Sequence, residues 1–109
     1  MEVEFEWRPL RKRAPRDLEV VRLKANEPDC KQYFGMWDKT QHRWFIFDIY
    51  NGHWATMEQY LLGVSDKDTI RCPLDGWEYA YIPNDKTKFI PFYALAFSRK
   101  REVIEYRNY

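Results

Sequence analysis

The stretch with the clearest chemical potential lies near the amino terminus. Five cations fall within the nine residues Arg8–Arg16, and two prolines interrupt the same stretch. Guanidinium groups pair with phosphate oxygens through two parallel hydrogen bonds, and neighbouring aromatic rings can stack on bases. Because prolines lack an amide donor and like charges repel, the stretch is predicted to be an exposed loop. The candidate phosphate-binding residues are Trp7, Arg8, Arg11, Lys12, Arg13 and Arg16.

A second, smaller basic cluster near the carboxyl terminus consists of Arg99, Lys100 and Arg101. A phosphate site would be favoured if the fold brought the two clusters together. The alternative for both is a solvated surface, or one that pairs with the many surface carboxylates. Eighteen basic and seventeen acidic residues give a net charge of +1, so any attraction to nucleic acid must be local.

Aromatic residues make up 18% of the chain and offer a second kind of site. Trp77, Tyr79 and Tyr81 alternate, which places their rings on one face of a predicted strand. Tyr79 and Tyr81 are candidates for a partner-binding or self-association face. The tryptophans could form a stacking platform or an interface hot spot, with core packing as the alternative: Trp37, Trp44, Trp54 and Trp77.

Catalytic and metal-binding patterns are not found in the sequence. His42 and His53 match no ligand spacing and are expected to be exposed turn residues. Cys30 and Cys72 have no neighbours that would lower a thiol pKa, so free thiols are expected. The four glycines are isolated, which excludes the common phosphate-cradling loops. We therefore predict no catalytic residue, no metal, no cofactor and no enzymatic activity.

A central hairpin is predicted to organise the sheet that positions these residues. Strands at Gln32–Asp38 and Arg43–Tyr50 flank the polar loop Lys39–His42, and Asn51-Gly52 provides a tight turn into a return strand at His53. The second strand is apolar on both faces, as expected for a strand that is covered on both sides.

The remaining elements complete a small α+β fold dominated by β structure. Thr56 and Gln59 have the spacing of a capping box, which predicts one short helix near 57–62. Tyr93, Leu95 and Phe97 alternate, so a carboxyl-terminal hairpin of Phe89–Ser98 with Val103–Tyr106 is predicted, with a helix opened by Pro91 as the alternative. In total we expect one domain over 1–109 with about six to eight short antiparallel strands. The other predicted strands are Val3–Trp7, Leu18–Lys24, Ile70–Leu74 and Trp77–Ile82.

Nothing in the sequence indicates export or a membrane partner. The amino terminus lacks the basic start and apolar run of a secretory signal. The uncharged run Phe89–Ser98 has about half of the roughly 20 residues that cross a bilayer. The protein is therefore predicted to be soluble and cytoplasmic.

The order of tryptophan, proline and valine positions resembles a family of short phage and prophage proteins, the group numbered 551 among domains of unknown function. The matching positions are Trp7 with Pro9, Pro15 with Asp17, Val20-Val21, Phe34–Asp38, Trp44, and Trp77 ahead of Pro83. The resemblance covers Trp7–Pro83. It implies a phage origin, a location in the host cytoplasm and a small β-rich fold, and it transfers no catalytic residue.

Two functions follow as hypotheses. The preferred one is a phage-type accessory protein that binds a host macromolecule, with a host protein as the expected partner and inhibition of a host defence system as an example. Aromatic and arginine residues dominate interface hot spots. A homodimer would form through an exposed strand edge or the Tyr79–Tyr81 face. The alternative is a nucleic-acid or nucleotide-binding module that uses the loop 8–16 and adjacent aromatic rings.

Overall fold

A six-stranded antiparallel sheet forms the centre of the protein. The computed structural model describes residues 3–25, 31–57, 59 and 76–107, and Tyr106 and Arg107 are described by their backbone alone. The strand order is β1-β6-β2-β3-β4-β5, and each pairing is antiparallel. This architecture confirms the predicted α+β, β-dominated class. The strands are β1 (Arg8–Pro9), β2 (Val21–Ala25), β3 (Tyr33–Asp38), β4 (Arg43–Asp48), β5 (His53–Thr56) and β6 (Trp77–Tyr81).

The predicted central hairpin is confirmed as β3 and β4. Its register pairs Gly35 with Ile46 and Trp37 with Trp44. The connecting loop is held by the fully buried carboxylate of Asp38. That carboxylate accepts the amides of Thr40 and Gln41 at 3.1 and 3.3 Å and the Arg43 Nε at 3.2 Å. A polar loop therefore stays ordered because one buried acid satisfies several donors.

Apolar side chains cover both faces of the sheet, as the two-sided pattern of β4 predicted. One core cluster contains Val21, Leu23, Trp44, Ile46, Met57, Trp77 and Tyr79. The cluster on the opposite face contains Leu18, Val20, Phe34, Met36, Phe45, Phe47, Ile90, Ala96 and Val103. Trp44 and Trp77 are thus core residues, while Trp37 and Trp54 are partly buried against the two clusters.

The amino-terminal prediction was only partly right. Residues 3–7 are not a strand, although Val3 and Phe5 alternate with exposed glutamates and pack on the core as expected. Pairing begins only at Arg8–Pro9, where β1 contacts β6. The strand predicted from Leu18 starts instead at Val21, because Leu18 has a positive φ of 52° and its amide donates to the Trp37 carbonyl at 2.7 Å.

The turn and cap predicted after β4 are both present. Gly52 has a φ of 72°, which glycine adopts without a Cβ penalty, and β5 returns alongside β4. The Gln59 amide donates to Thr56 Oγ1 at 3.1 Å, and the Thr56 amide donates to Gln59 Oε1 at 3.0 Å. These reciprocal bonds are the predicted capping box. The rest of the helix near 57–62, the strand at Ile70–Leu74, Cys30 and Cys72 lie outside the described residues.

Removing the cap should weaken the fold measurably. Replacing Thr56 by alanine is expected to lower the free energy of unfolding by about 1 kcal/mol, because the Gln59 amide loses its hydroxyl acceptor. Urea unfolding monitored by tryptophan fluorescence would measure it. Thr56→Ser keeps the hydroxyl and should stay within about 0.5 kcal/mol of the parent protein; an equal loss in both variants would contradict a capping role.

The predicted carboxyl-terminal hairpin is wrong, and the helical alternative is correct. A 3₁₀ turn at Asn84–Phe89 leads to helix α1 (Tyr93–Ser98) and, after a bend at Arg99, to helix α2 (Lys100–Arg107). The inward positions are Tyr93, Ala96 and Val103, which follow helical spacing, whereas Leu95 and Phe97 are exposed. The segment is tied to the sheet by the Trp54 indole, which donates to the Ala96 carbonyl at 2.9 Å.

Within the described part of the chain, no helix has the length and apolar content needed to cross a membrane.

Candidate functional site

The basic loop is fixed at both ends on the edge of the sheet. At its start, Arg8 pairs with Tyr79 and the Leu10 amide donates to the Trp77 carbonyl at 3.1 Å. At its end, Pro15 is buried and the Arg16 amide donates to the Tyr81 hydroxyl at 3.0 Å. The residues between these anchors, 11–14, are exposed. The loop is therefore a projection held in place by β6 and not a free linker.

The Tyr81 ring packs against two arginines of the loop. The guanidinium of Arg16 lies 4.0 Å from the centre of its ring and that of Arg8 lies 5.6 Å away. Such cation–π contacts are favourable because the ring face carries partial negative charge. The sequence placed Tyr81 and the basic loop in separate candidate sites, and the fold joins them in one.

Tyr79 does not belong to this surface, contrary to its selection as a partner-binding residue. It is 1% exposed and meets the Tyr81 ring edge-on at 5.6 Å. Burial raises the pKa of Tyr79, and Tyr81 adds to the effect, while nearby Arg8 and Arg13 oppose it. The alternating stripe is real, but its middle ring is core because β6 lies between β1 and β2 and Tyr79 packs in the same cluster as Val21 and Leu23.

The five cations of the loop have different environments. Arg16 forms a bidentate ion pair with Glu19: its Nε donates to Oε2 at 2.7 Å and its Nη2 donates to Oε1 at 3.0 Å. This hydrogen bonding raises the pKa of Arg16. Arg8 lies 3.8 Å from the Glu6 carboxylate. Among the described residues, no carboxylate pairs with the three consecutive cations Arg11, Lys12 and Arg13. Arg8 and Arg16 thus shape the loop, and the other three are available to an anion.

Trp7 lies on the other face of the sheet. Its half-buried ring packs against Phe5 at 5.6 Å and beneath the Lys24 ammonium at 4.4 Å. Farther along β2, the Arg22 guanidinium lies 4.2 Å from the Phe34 ring, and its buried Nε has no hydrogen-bond partner. Burial lowers the pKa of Arg22. Sequence reasoning missed Arg22, although a cation inside an apolar strand segment was a signal.

The second basic cluster is not brought beside the first. Helix α2 packs on β5, whereas the loop lies on β1, and these are the two opposite edges of the sheet. Glu102 accepts from Arg99 at 3.2 Å and lies 3.3 Å from His53 Nδ1, which fixes the cluster to β5. Arg99, Lys100 and Arg101 therefore form no joint phosphate site with the loop.

A cleft of about 300 Å³ lies next to the loop. Its lining includes the carboxylates of Glu4 and Glu6 together with Arg8 and the Tyr81 ring. Two carboxylates disfavour a phosphate inside the cleft. An anion bound by the loop is therefore expected on its outward side, at Arg11–Arg13.

The Tyr81 hydroxyl should control how firmly the loop is held. In Tyr81→Phe, the Arg16 amide loses its acceptor, and its hydrogen exchange is expected to accelerate about fivefold, as for the loss of one ordinary hydrogen bond. The exchange of core amides such as that of Ile46 serves as the control. An unchanged Arg16 rate would show that the loop is held by its other contacts.

Metal-ligating groups do not cluster in the described ranges: no three His, Cys, Asp or Glu side chains there could share an ion. His53 contacts Glu102, and His42 packs edge-on against Trp37 at 5.9 Å.

The resemblance to family 551 stays a prediction. Comparison of the chain with protein-family models, with curated proteins and with solved structures finds no match.

Proposed function

We propose that this protein binds nucleic acid through the phosphate backbone, with Arg11, Lys12 and Arg13 as the contacting residues. The observation that supports it is the exposure of three consecutive cations, without carboxylate partners, on a loop anchored to β1 and β6. An anchored loop loses little conformational entropy when it binds, which favours even a few ionic contacts.

The proposed binding tolerates different sequences. Phosphate contacts carry no base information, and Arg11, Lys12 and Arg13 are exposed. With a net charge of +1, the protein has no overall field to add to the local one. The ligand is therefore a polyanionic backbone that spans several phosphates, and a single mononucleotide should bind far more weakly.

This proposal is compatible with the broader hypothesis of a non-enzymatic, phage-type accessory protein. Such a protein would act by occupying a host macromolecule in the host cytoplasm, for example within a defence system. The loop offers one surface for that role. The phage origin and the link to host defence remain predictions from the resemblance.

The salt dependence of oligonucleotide binding tests the proposal. A fluorescein-labelled single-stranded 20-mer is titrated with the protein between 50 and 200 mM salt, and anisotropy is recorded. Three phosphate contacts predict that the logarithm of the affinity falls against the logarithm of salt with a slope of about −2. Binding that is absent at 50 mM, or unaffected by salt, would remove the proposal.

A further inference from the structure

The carboxyl-terminal segment exposes an unusual amount of apolar surface. Five large apolar side chains between residues 89 and 104 are 37% to 55% exposed, and we call them the C-terminal apolar surface: Phe89, Phe92, Leu95, Phe97 and Ile104. Single exposed apolar residues are ordinary, but several within one short segment indicate a binding surface. Phenylalanine is also among the residues enriched where proteins meet.

These side chains are not displaced core residues. The inward positions of the same helices are already filled by Tyr93, Ala96 and Val103. Phe92 has a φ of 67°, a conformation that residues other than glycine rarely adopt, and its ring is 54% exposed. The Ala96 amide donates to the Phe92 carbonyl at 2.9 Å, so this backbone geometry starts helix α1. The fold holds an aromatic ring outward at a strained position, which points to a role outside the folded core.

Three lysine ammonium groups lie near the rings of this surface, and Lys86 is the most distant of them, at 6.0 Å from the Phe89 ring centre. The Lys88 ammonium is 5.0 Å from the Phe89 ring centre, and that of Lys100 is 5.9 Å from the Phe97 ring centre. Within the described residues, Lys88, Lys100 and Arg101 have no ion-pair partner. The stretch 84–107 carries six cations against three carboxylates. Apolar contact area and positive charge are thus presented together.

We infer that the C-terminal apolar surface docks an acidic, apolar segment of a partner protein. The partner's apolar side chains would cover the rings, and its carboxylates would pair with Lys88, Lys100 and Arg101. A second copy of this chain fits poorly, because two-fold pairing would bring like charges together. An anionic membrane is the other alternative, and a vesicle experiment distinguishes it from a protein partner. This function is independent of nucleic-acid binding, since the two surfaces have no residue in common.

Three designed 16-residue peptides test the inference. They share the same leucine and phenylalanine positions, and their remaining positions are all glutamate, all glutamine or all lysine. In anisotropy titrations at 100 mM salt, the glutamate peptide is expected to bind at least tenfold more tightly than the glutamine peptide, and the lysine peptide not at all. Equal binding of the glutamate and glutamine peptides, or no binding of either, would overturn the inference.

Two sets of variants assign the binding to this surface. Phe92→Asn combined with Phe97→Ser removes two exposed rings, and asparagine tolerates the positive φ, so the fold is kept and the glutamate peptide should lose at least tenfold in affinity. Lys88→Ala, Lys100→Ala and Arg101→Ala together should reduce the glutamate peptide to the level of the glutamine peptide. Replacing Arg11, Lys12 and Arg13 by alanine should leave peptide binding unchanged.

The other two occupants are outcomes of the same experiment. In one outcome, the protein is pelleted together with vesicles that contain 30% anionic phospholipid, and this binding is lost in the ring variant, Phe92→Asn with Phe97→Ser. That result would indicate a membrane partner and overturn the inference. A concentration-dependent dimer in light scattering that the ring variant abolishes would indicate a second copy and also overturn it. The expected result is a monomeric protein that stays in the supernatant when the vesicles are pelleted.

Discussion

Replacing Arg11, Lys12 and Arg13 together by alanine is expected to lower the affinity for a single-stranded oligonucleotide about 100-fold at about 0.1 M salt. Each lost phosphate contact removes about 0.7 from the salt slope, so the slope should fall by about 2 and approach zero. The loss of affinity has the same cause, because the variant releases fewer counterions when it binds. The measurement is the anisotropy titration at several salt concentrations.

The chain contains a matched control for this variant. Lys88, Lys100 and Arg101 are also three cations without ion-pair partners among the described residues, and they lie outside the loop, in the carboxyl-terminal segment. Replacing them by alanine changes the net charge by the same amount. If both triple variants lose affinity equally, binding follows net charge and not the loop. A loss confined to the loop variant would support the proposed contact residues.

Replacing Phe34 by alanine is expected to destabilise the fold by about 3–5 kcal/mol, a large part of the roughly 5–15 kcal/mol that holds a typical domain together. Phe34 is 2% exposed and packs edge-on against Phe47 at 6.5 Å and Tyr93 at 6.1 Å. Its ring also lies 4.2 Å beneath the half-buried Arg22 guanidinium. The substitution leaves a cavity between the sheet and helix α1 and removes a favourable contact from a desolvated cation.

Urea unfolding measures this loss, and Phe97→Ala is the control. Phe97 is a phenylalanine of helix α1, but it is 55% exposed, so its removal should change the stability by less than about 1 kcal/mol. A small effect of Phe34→Ala would mean that the helices contribute little to the stability of the sheet. A large effect of Phe97→Ala would contradict its assignment to the binding surface.

The predictable elements were those whose signals are local. The hairpin of β3 and β4, the tight turn at Gly52 and the capping box of Thr56 and Gln59 depend on residues at most a few positions apart. Their partners are already near in the chain, so turn chemistry and alternation suffice to define them. The strand at Trp77–Tyr81 was equally clear, because its rings alternate between two turn signals.

The carboxyl-terminal segment shows where local patterns are ambiguous. Tyr93, Leu95 and Phe97 satisfy a period of two, yet the inward-facing residues Tyr93, Ala96 and Val103 follow the helical period. Small Ala96 becomes a core residue because it packs beneath Trp54, whose indole reaches its carbonyl. The exposed rings then result from this choice, and no pattern in the sequence distinguished them from core residues.

The candidate site likewise combines features that follow from local sequence with features that follow from the fold. The exposure of the charged loop at residues 11–13 was predictable, since the loop has no apolar face to bury. The pairing of β6 with β1 and β2 came only from the fold: it buries Tyr79 and puts the Tyr81 ring against Arg8 and Arg16. Strand order depends on contacts between residues about seventy positions apart, and side-chain periodicity, which acts over a few residues, carries no information about them.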